Sequence, residues 1–235
     1  MSHVNIFTAI IPAREGSKRL PNKNLKKILG KSLLSYAIDA ASESEYVDQC
    51  ILTTNISEDL LSDIDKKSCF IHKRLSHLSE DNVLMSDVVV DVITSLKRNH
   101  QIESEYIVLL QPTSPLRTTR DIDQACELIL NSPNSPSLIS VFEPSCHPHK
   151  MFSLEEDNSL IPFFDLEDLE KPKQHLSKVY AQNGAIYIAR TDEFLKHKSF
   201  FIQPCLPYEM SLLKSIDIDT ADDFKLAKFI FGDQN

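Results

Sequence analysis

The sequence predicts an α/β layer fold built on a mostly parallel sheet. Short apolar runs suited to buried strands alternate along the chain with longer stretches of helical periodicity. The first apolar run leads at once into a cation-rich loop and then a helical pattern. In open α/β sheets that position, beyond the carboxyl end of a strand, is where ligands lie. The chain's 235 residues and 42% hydrophobic content are enough for one substantial domain, with room for a small appendage.

Taken in order, residues 6–11 are apolar and read as a buried strand, and 33–41 carry the spacing of a helix. A strand at 51–54, a helix at 58–66 and a helix at 85–97 follow, then a strand at 106–110 and a helix at 122–130. Strands are expected again at 138–142 and 185–189. The last helix, 221–231, places Phe224 and Phe231 on one face and opens on Thr220-Ala221-Asp222-Asp223, a capping-box pattern. Regularity fails between 143 and 180, where Pro144, Pro148, Pro162 and Pro172 and the acidic run 165–170 interrupt any period. This stretch reads as an inserted arm, leaving 1–142 and 181–235 as the α/β domain. Its Phe163 and Phe164 need burial somewhere.

Composition narrows the function. No apolar run approaches the roughly 20 residues that span a bilayer, and the start, Met1-Ser2-His3-Val4-Asn5, lacks the features of a signal peptide. A cytoplasmic protein with no membrane partner is expected. Cys50, Cys69, Cys126, Cys146 and Cys205 show no CxxC spacing, so free thiols are expected rather than disulfides or a zinc ribbon. His147-Pro148-His149 has no third metal ligand nearby. A net charge of -9 argues against nucleic acid as a partner.

Against that acidic background, the loop after the first strand holds Arg14, Lys18, Arg19, Lys23, Lys26, Lys27 and Lys31, seven of 25 basic residues in 18 positions. Even spacing would give about two. A strand–loop–helix with cations and backbone amides at its mouth suits a polyphosphate. Lys26, Lys27 and Lys31 read as solvated charge, whereas Arg14, Ser17, Lys18, Lys23 and Asn24 lie nearer the strand end. The loop is not a Walker A motif, since GxxxxGK[ST] is absent.

Two further signals stand beside it. Leu109-Leu110-Gln111-Pro112-Thr113-Ser114-Pro115-Leu116-Arg117 ends a strand in a proline-fixed turn. Gln111 either meets a base or sugar with its paired donor and acceptor or belongs to a structural turn. In Ser215-Ile216-Asp217-Ile218-Asp219-Thr220, an extended backbone projects both carboxylates to one side. They either hold Mg²⁺ against phosphates or favour the positive end of the following helix. Asn183-Gly184 marks a turn where glycine permits close approach or positive φ.

Together, IPAREGSKRLPNKN, LLQPTSPLR, NGAIYI and SIDIDT, in this order and spacing, resemble the bacterial cytidylyltransferases that activate nine-carbon keto-sugar acids, the CMP-N-acetylneuraminate (CMP-sialic acid) synthetase family. The likeness runs from about Ile6 to Phe229 and is strongest at those four motifs. It implies a Rossmann-like three-layer nucleotide-diphospho-sugar transferase fold, mostly parallel, with 143–180 as a dimerisation arm. It also implies a homodimer in which each arm reaches the neighbour's active site. The implied reaction joins CTP to N-acetylneuraminate, legionaminate or pseudaminate, giving CMP-sugar and pyrophosphate, with Mg²⁺ (Mn²⁺ being the alternative).

By motif position, Arg14, Ser17, Lys18, Lys23 and Asn24 would hold the nucleotide, with Arg74 beside it and Ser86 near the cytosine. Arg14, Lys18, Lys23 and Asp217 would carry catalysis, and Asp217 and Asp219 would bind the metal. Gln111, Asn183, Tyr187, Phe200 and Phe201 would line the sugar pocket, with Lys150, Glu170 and Lys173 reaching it from the arm. The chain departs from the family in Leu75, where a proline is usual, and in Lys173, where sialic-acid members carry arginine. Lysine is a point charge without arginine's bidentate fork. The alternatives on this fold are an eight-carbon deoxyoctulosonate cytidylyltransferase and a non-catalytic nucleotide-sugar binder. The Lys-x-Leu-Pro-x-Lys-Asn pattern from Lys18 and the intact Lys23, Asp217 and Asp219 argue against them.

Overall fold

The structure, a computed structural model, describes residues 4–62, 64, 68–100 and 102–233. Met1-Ser2-His3 of the N-terminal reading and Asp63, Asp65 and Lys66 of the expected 58–66 helix lie outside these residues. In chain order the elements are β1 (Val4–Ala13), β2 (Lys27–Ile28), β3 (Lys31–Ser32), α1 (Leu33–Ser42), β4 (Val47–Thr54) and β5 (Phe70–Lys73). Next come α2 (Met85–His100), β6 (Glu103–Leu109), α3 (Thr119–Leu130), β7 (Ser137–Phe142), β8 (Phe152–Leu154), β9 (Leu160–Pro162) and α4 (Leu166–Glu170). The chain closes with β10 (Ala181–Arg190), α5 (Thr191–His197), β11 (Cys205–Glu209) and α6 (Ala221–Asp233).

Seven strands form the central sheet in the order β11-β7-β10-β6-β1-β4-β5. Pairings are parallel except those of β10, which runs against both β6 and β7. The expected α/β class and mostly parallel sheet are therefore present. Alternation along β1 explains the layering. Phe7, Ala9, Ile11 and Ala13 pack with α1 and α3 on one face, while Ile10 packs with α2 and Phe194 of α5 on the other. A third cluster, Leu20, Ile28, Leu33, Ile218 and Ala227, seats α6 beneath the first loop. Phe224 and Phe231 share the α6 face packed against it, as the spacing predicts. The capping box also forms: Asp223 accepts from the Thr220 amide at 2.7 Å, and Thr220 Oγ1 accepts from the Asp223 amide at 3.3 Å.

The sequence reading needs correction in places. Of the expected 58–66 helix, the described part is a 3-10 turn, Glu58–Leu61. β5, α5 and β11 were not anticipated. No strand of the central sheet comes from 143–180. That stretch forms its own β8–β9 hairpin and short α4, with Phe163 and Phe164 exposed. All five cysteines are free.

Candidate active site

β1, β4 and β6 run parallel, so their carboxyl ends share one edge of the sheet. β10 is antiparallel, with Tyr187 opposite Leu109, so its beginning, Asn183-Gly184, lies at that same edge. There a cavity of about 460 Å³ opens, lined by the first loop, Arg74, the Gln111-Pro112-Thr113 turn, Asp217 and Asp219. Two segments far apart in sequence thus face one space.

Local structure aims the first loop. Gly16 turns at φ +84°, and the 3-10 turn Lys23–Leu25 follows Asn22 in the left-handed region. Buried Asn24 donates to the Arg14 carbonyl at 3.3 Å, closing the loop on itself. Arg14, Ser17, Lys18, Lys23 and Asn24 all line the cavity. Arg74 joins them almost fully buried, its guanidinium held by the Thr53 carbonyl at 2.9 Å. Burial first, and then repulsion from Arg14, lower its pKa to about 10, so it stays a cation at neutral pH.

Opposite stands the acidic pair. The amide of Ile218 donates to the Thr113 carbonyl at 2.8 Å, and the Ile218 side chain is fully buried. With Ile218 anchored inward, its neighbours Asp217 and Asp219 turn to the cavity. Asp219 accepts from Lys23 Nζ at 2.7 Å and Arg19 Nη2 at 2.9 Å. Asp217 is raised above the usual carboxylate range, chiefly by desolvation and also by Asp219, despite the Thr113 hydroxyl bonded to it. An added cation would screen the repulsion from Asp219 and favour the ionised form. Among the described residues no group of three or more His, Cys, Asp or Glu converges to hold a metal. A cation here must therefore complete its shell with phosphate oxygens and water, which Mg²⁺ does readily.

The expected aromatic residues, Tyr187, Phe200 and Phe201, cluster together but do not line this cavity. Tyr187 lies 5.7 Å from the Phe200 ring and 6.3 Å from the Phe201 ring. Burial raises the Tyr187 phenol pKa, with a contribution from the Asp217 carboxylate. Gln111 lines the cavity itself.

Several expected contacts are elsewhere. Asn183 does not face the cavity; it is buried, its amide spent on Ser140 at 2.5 Å, Ser215 at 2.9 Å and the Ala185 amide at 3.1 Å. Ser86 is absent from the cavity wall, where the preceding Met85 stands instead. Lys150 turns into the arm, donating to the carbonyls of Asp168 at 2.9 Å, Lys171 at 2.6 Å and Leu169, which holds the C-terminal end of α4. Lys173 pairs with Glu143 at 3.4 Å and, like exposed Glu170, does not line this chain's cavity. The sequence reading missed Asp81, which pairs with Arg14 across 67 residues, a separation no local pattern reveals.

It also missed the depth of Arg117. Fully desolvated, this guanidinium donates from Nη1 to the carbonyls of Ala185 at 2.8 Å and Gln111 at 3.2 Å. It thereby ties the end of β6 to the start of β10, behind the cavity.

Residues 8–233 match the family described as cytidylyltransferase. The chain is 34% identical over 218 residues to an N-acylneuraminate cytidylyltransferase of Streptococcus agalactiae serotype V, covering 92% of this chain and 51% of that protein. It thus spans about half the length of that relative. It is 33% identical over 223 residues to a CMP-N,N'-diacetyllegionaminic acid synthase of Legionella pneumophila, covering 94% of both. Among solved structures, a CMP:2-keto-3-deoxy-manno-octonic acid synthetase complexed with CTP superposes with a TM-score of 0.70, covering 98% of this chain and 100% of the other. At 16% identity that likeness speaks for the fold alone.

Proposed function

The chain belongs to the cytidylyltransferase family, and from that premise we propose that it transfers CMP from CTP to a nine-carbon keto-sugar acid of the neuraminate, legionaminate and pseudaminate class. The anomeric hydroxyl oxygen attacks the α-phosphorus and loses its proton. The bond to the β-phosphate breaks, and pyrophosphate leaves. One observation carries the reading: Arg14, Lys18 and Lys23 share a single cavity with Asp217, Asp219 and Gln111.

Each group has a task that its position supports. Arg14, Lys18 and Lys23 neutralise the charge that grows on the departing pyrophosphate, in a transfer that depends on positioning and electrostatics. Arg74, fixed in the cavity wall, gives the nucleotide a cation that needs no reorganisation. Gln111, in the cavity wall, meets the sugar; the Tyr187–Phe200–Phe201 cluster, which does not line this cavity, is assigned to the sugar by motif position alone. Asp217 and Asp219 are the residues that would hold Mg²⁺, or Mn²⁺, which supplies Lewis-acid polarisation of the phosphates when bound. Both substrates are anions, so a chain of net charge -9 needs this local reversal of sign.

The arm, 143–180, serves as a dimerisation element. Leu154, Leu160, Phe163 and Leu166 are each more than 60% exposed on it, an apolar surface that a second protomer would cover. The chain's free thiols suit the reducing cytoplasm, where we place the reaction.

The test is pyrophosphate release from CTP with a panel of nine-carbon acids and an eight-carbon acid, with and without a chelator. Release with a nine-carbon acid, abolished by chelation, is expected. Asp217→Asn and Lys23→Ala should each lower kcat/KM by at least about 10²-fold. Full activity in both variants would reject the assignment, and preference for the eight-carbon acid would shift it.

A further inference from the structure

Asp81 lines the cavity but has no task in the scheme above. It lies in the loop between the 3-10 turn Ser76–Ser79 and α2. Its carboxylate is divided between two cations of the first loop: Oδ1 accepts from Arg14 Nη2 at 2.6 Å, and Oδ2 pairs with Lys18 Nζ at 2.5 Å. Arg14 is tied to the same loop a second time, donating from Nη1 to the Ser79 carbonyl at 3.1 Å. These are two of the cations that a phosphate chain in this cavity would engage. Lys23 is committed differently, to Asp219.

We infer that Asp81 is a positioning residue, an internal counter-ion that holds Arg14 and Lys18 over the cavity and competes with a bound polyphosphate for the same donors. That the polyphosphate is the CTP tail rests on the proposed function; the competition rests on the ion pairs alone. Exposed ion pairs are individually weak because both ions remain well solvated. Lys18, 79% exposed, can therefore change partner readily. A polyphosphate offers several charges against Asp81's one and displaces it. A phosphate oxygen on Arg14 then lies close to the Asp81 carboxylate, and like charges repel at that range. The loop carrying Asp81 leaves Leu84 exposed, so little packing opposes its withdrawal. The result is a built-in limit on affinity, which favours release of the pyrophosphate product.

The experiment titrates inorganic pyrophosphate into wild type, Asp81→Asn, Asp81→Ser and Asp81→Glu by calorimetry at fixed ionic strength. Glu105→Gln, at the amino end of β6, is the control for the same change in charge. Asp81→Asn and Asp81→Ser should bind pyrophosphate about three- to tenfold tighter, Asp81→Glu should return toward wild type, and Glu105→Gln should shift by less than about twofold. In turnover, the KM for CTP should fall in Asp81→Asn with that for the sugar acid unchanged. Unchanged or weaker pyrophosphate binding in both Asp81→Asn and Asp81→Ser, with folding confirmed by thermal melting, overturns the inference. Tighter binding without any CTP turnover in wild type would uphold the competition and reject the proposed function.

Discussion

Gly184 is the residue on which two cavity groups, Gln111 and Asp217, and buried Ser114 converge. Its φ is +75°, and a Cβ placed there would stand 2.9 Å from Gln111 Oε1, 3.7 Å from Ser114 Oγ and 3.8 Å from Asp217 Oδ2. The strand can therefore bring Gln111 and Asp217 together only where it carries no side chain. Gly184→Ala should cost about 1–2 kcal/mol from backbone strain. It should also push Gln111 aside, lowering kcat/KM for the sugar acid by at least about tenfold while pyrophosphate binding stays at the wild-type value. Thermal melting and steady-state kinetics separate the two effects. The Asn-Gly pair reads in the sequence as a turn before a strand, but it lies inside β10, at the register shift between Gln182 and Tyr187; the close approach and the positive φ both hold. Its partner was misread for a physical reason. Nothing local reveals that Asn183 finds buried partners in Ser140 and Ser215, which belong to distant segments.

At the scale of elements, α3 fastens the acidic segment to the sheet through one carboxylate. Asp121 completes the capping box with Thr118, accepts from Lys214 Nζ at 2.9 Å and from Tyr208 of β11 at 3.2 Å. Lys214 belongs to the 3-10 turn that leads directly into the segment bearing Asp217 and Asp219. Burial pushes the Asp121 carboxyl up, but the hydrogen bonds from Lys214 and Thr118 outweigh it and hold the group below its usual value. Its stabilisation is thus fully present above the unfolded carboxyl pKa of about 4 and is lost as pH falls through the lower folded value. Asp121→Asn should destabilise by about 1–2 kcal/mol at pH 7, and the gap to wild type should close below about pH 4. Urea unfolding at pH 7 and pH 3 measures it; an equal gap at both would show that the ionised form contributes nothing.

The elements that the sequence made legible are those with an apolar run or a full period to show: β1, β4, β6, β7, β10, α1, α2, α3 and α6. β11 escaped because its five residues include Pro207, which suits an edge strand and breaks the pattern of an interior one. β5, another edge strand, has only four residues. The first loop and the acidic pair were legible as chemistry, because cations and carboxylates stand out against their surroundings. Their counter-ions were not, because Asp81 meets Arg14 only after folding.

At the scale of the whole molecule, the arm leaves the α/β domain without adding a strand to its sheet and presents an apolar surface to solvent. Within the arm, His149 stacks on Phe164 at 4.4 Å and bonds to Asp168 at 2.5 Å, while Lys150 gathers the end of α4. These contacts make it a formed unit rather than a loose loop, shaped before any partner arrives. Lys173 and Glu170 lie on it, away from this chain's own cavity. If the arm serves the neighbour, then a core lesion and an arm lesion sit in different sites of the same dimer. Asp217→Asn inactivates the cavity of its own protomer, whereas a Glu170→Ala, Lys173→Ala double variant impairs the cavity across the interface. In a mixed dimer, one cavity carries both lesions and the other carries neither. Random exchange makes half the dimers mixed with one intact site each, so co-refolding equal amounts should restore about a quarter of wild-type activity. Each variant refolded alone should remain impaired, and sedimentation should report a dimer throughout. If the mixture gains no activity although the dimers have exchanged, the arm does not complete its partner's site and acts only in assembly.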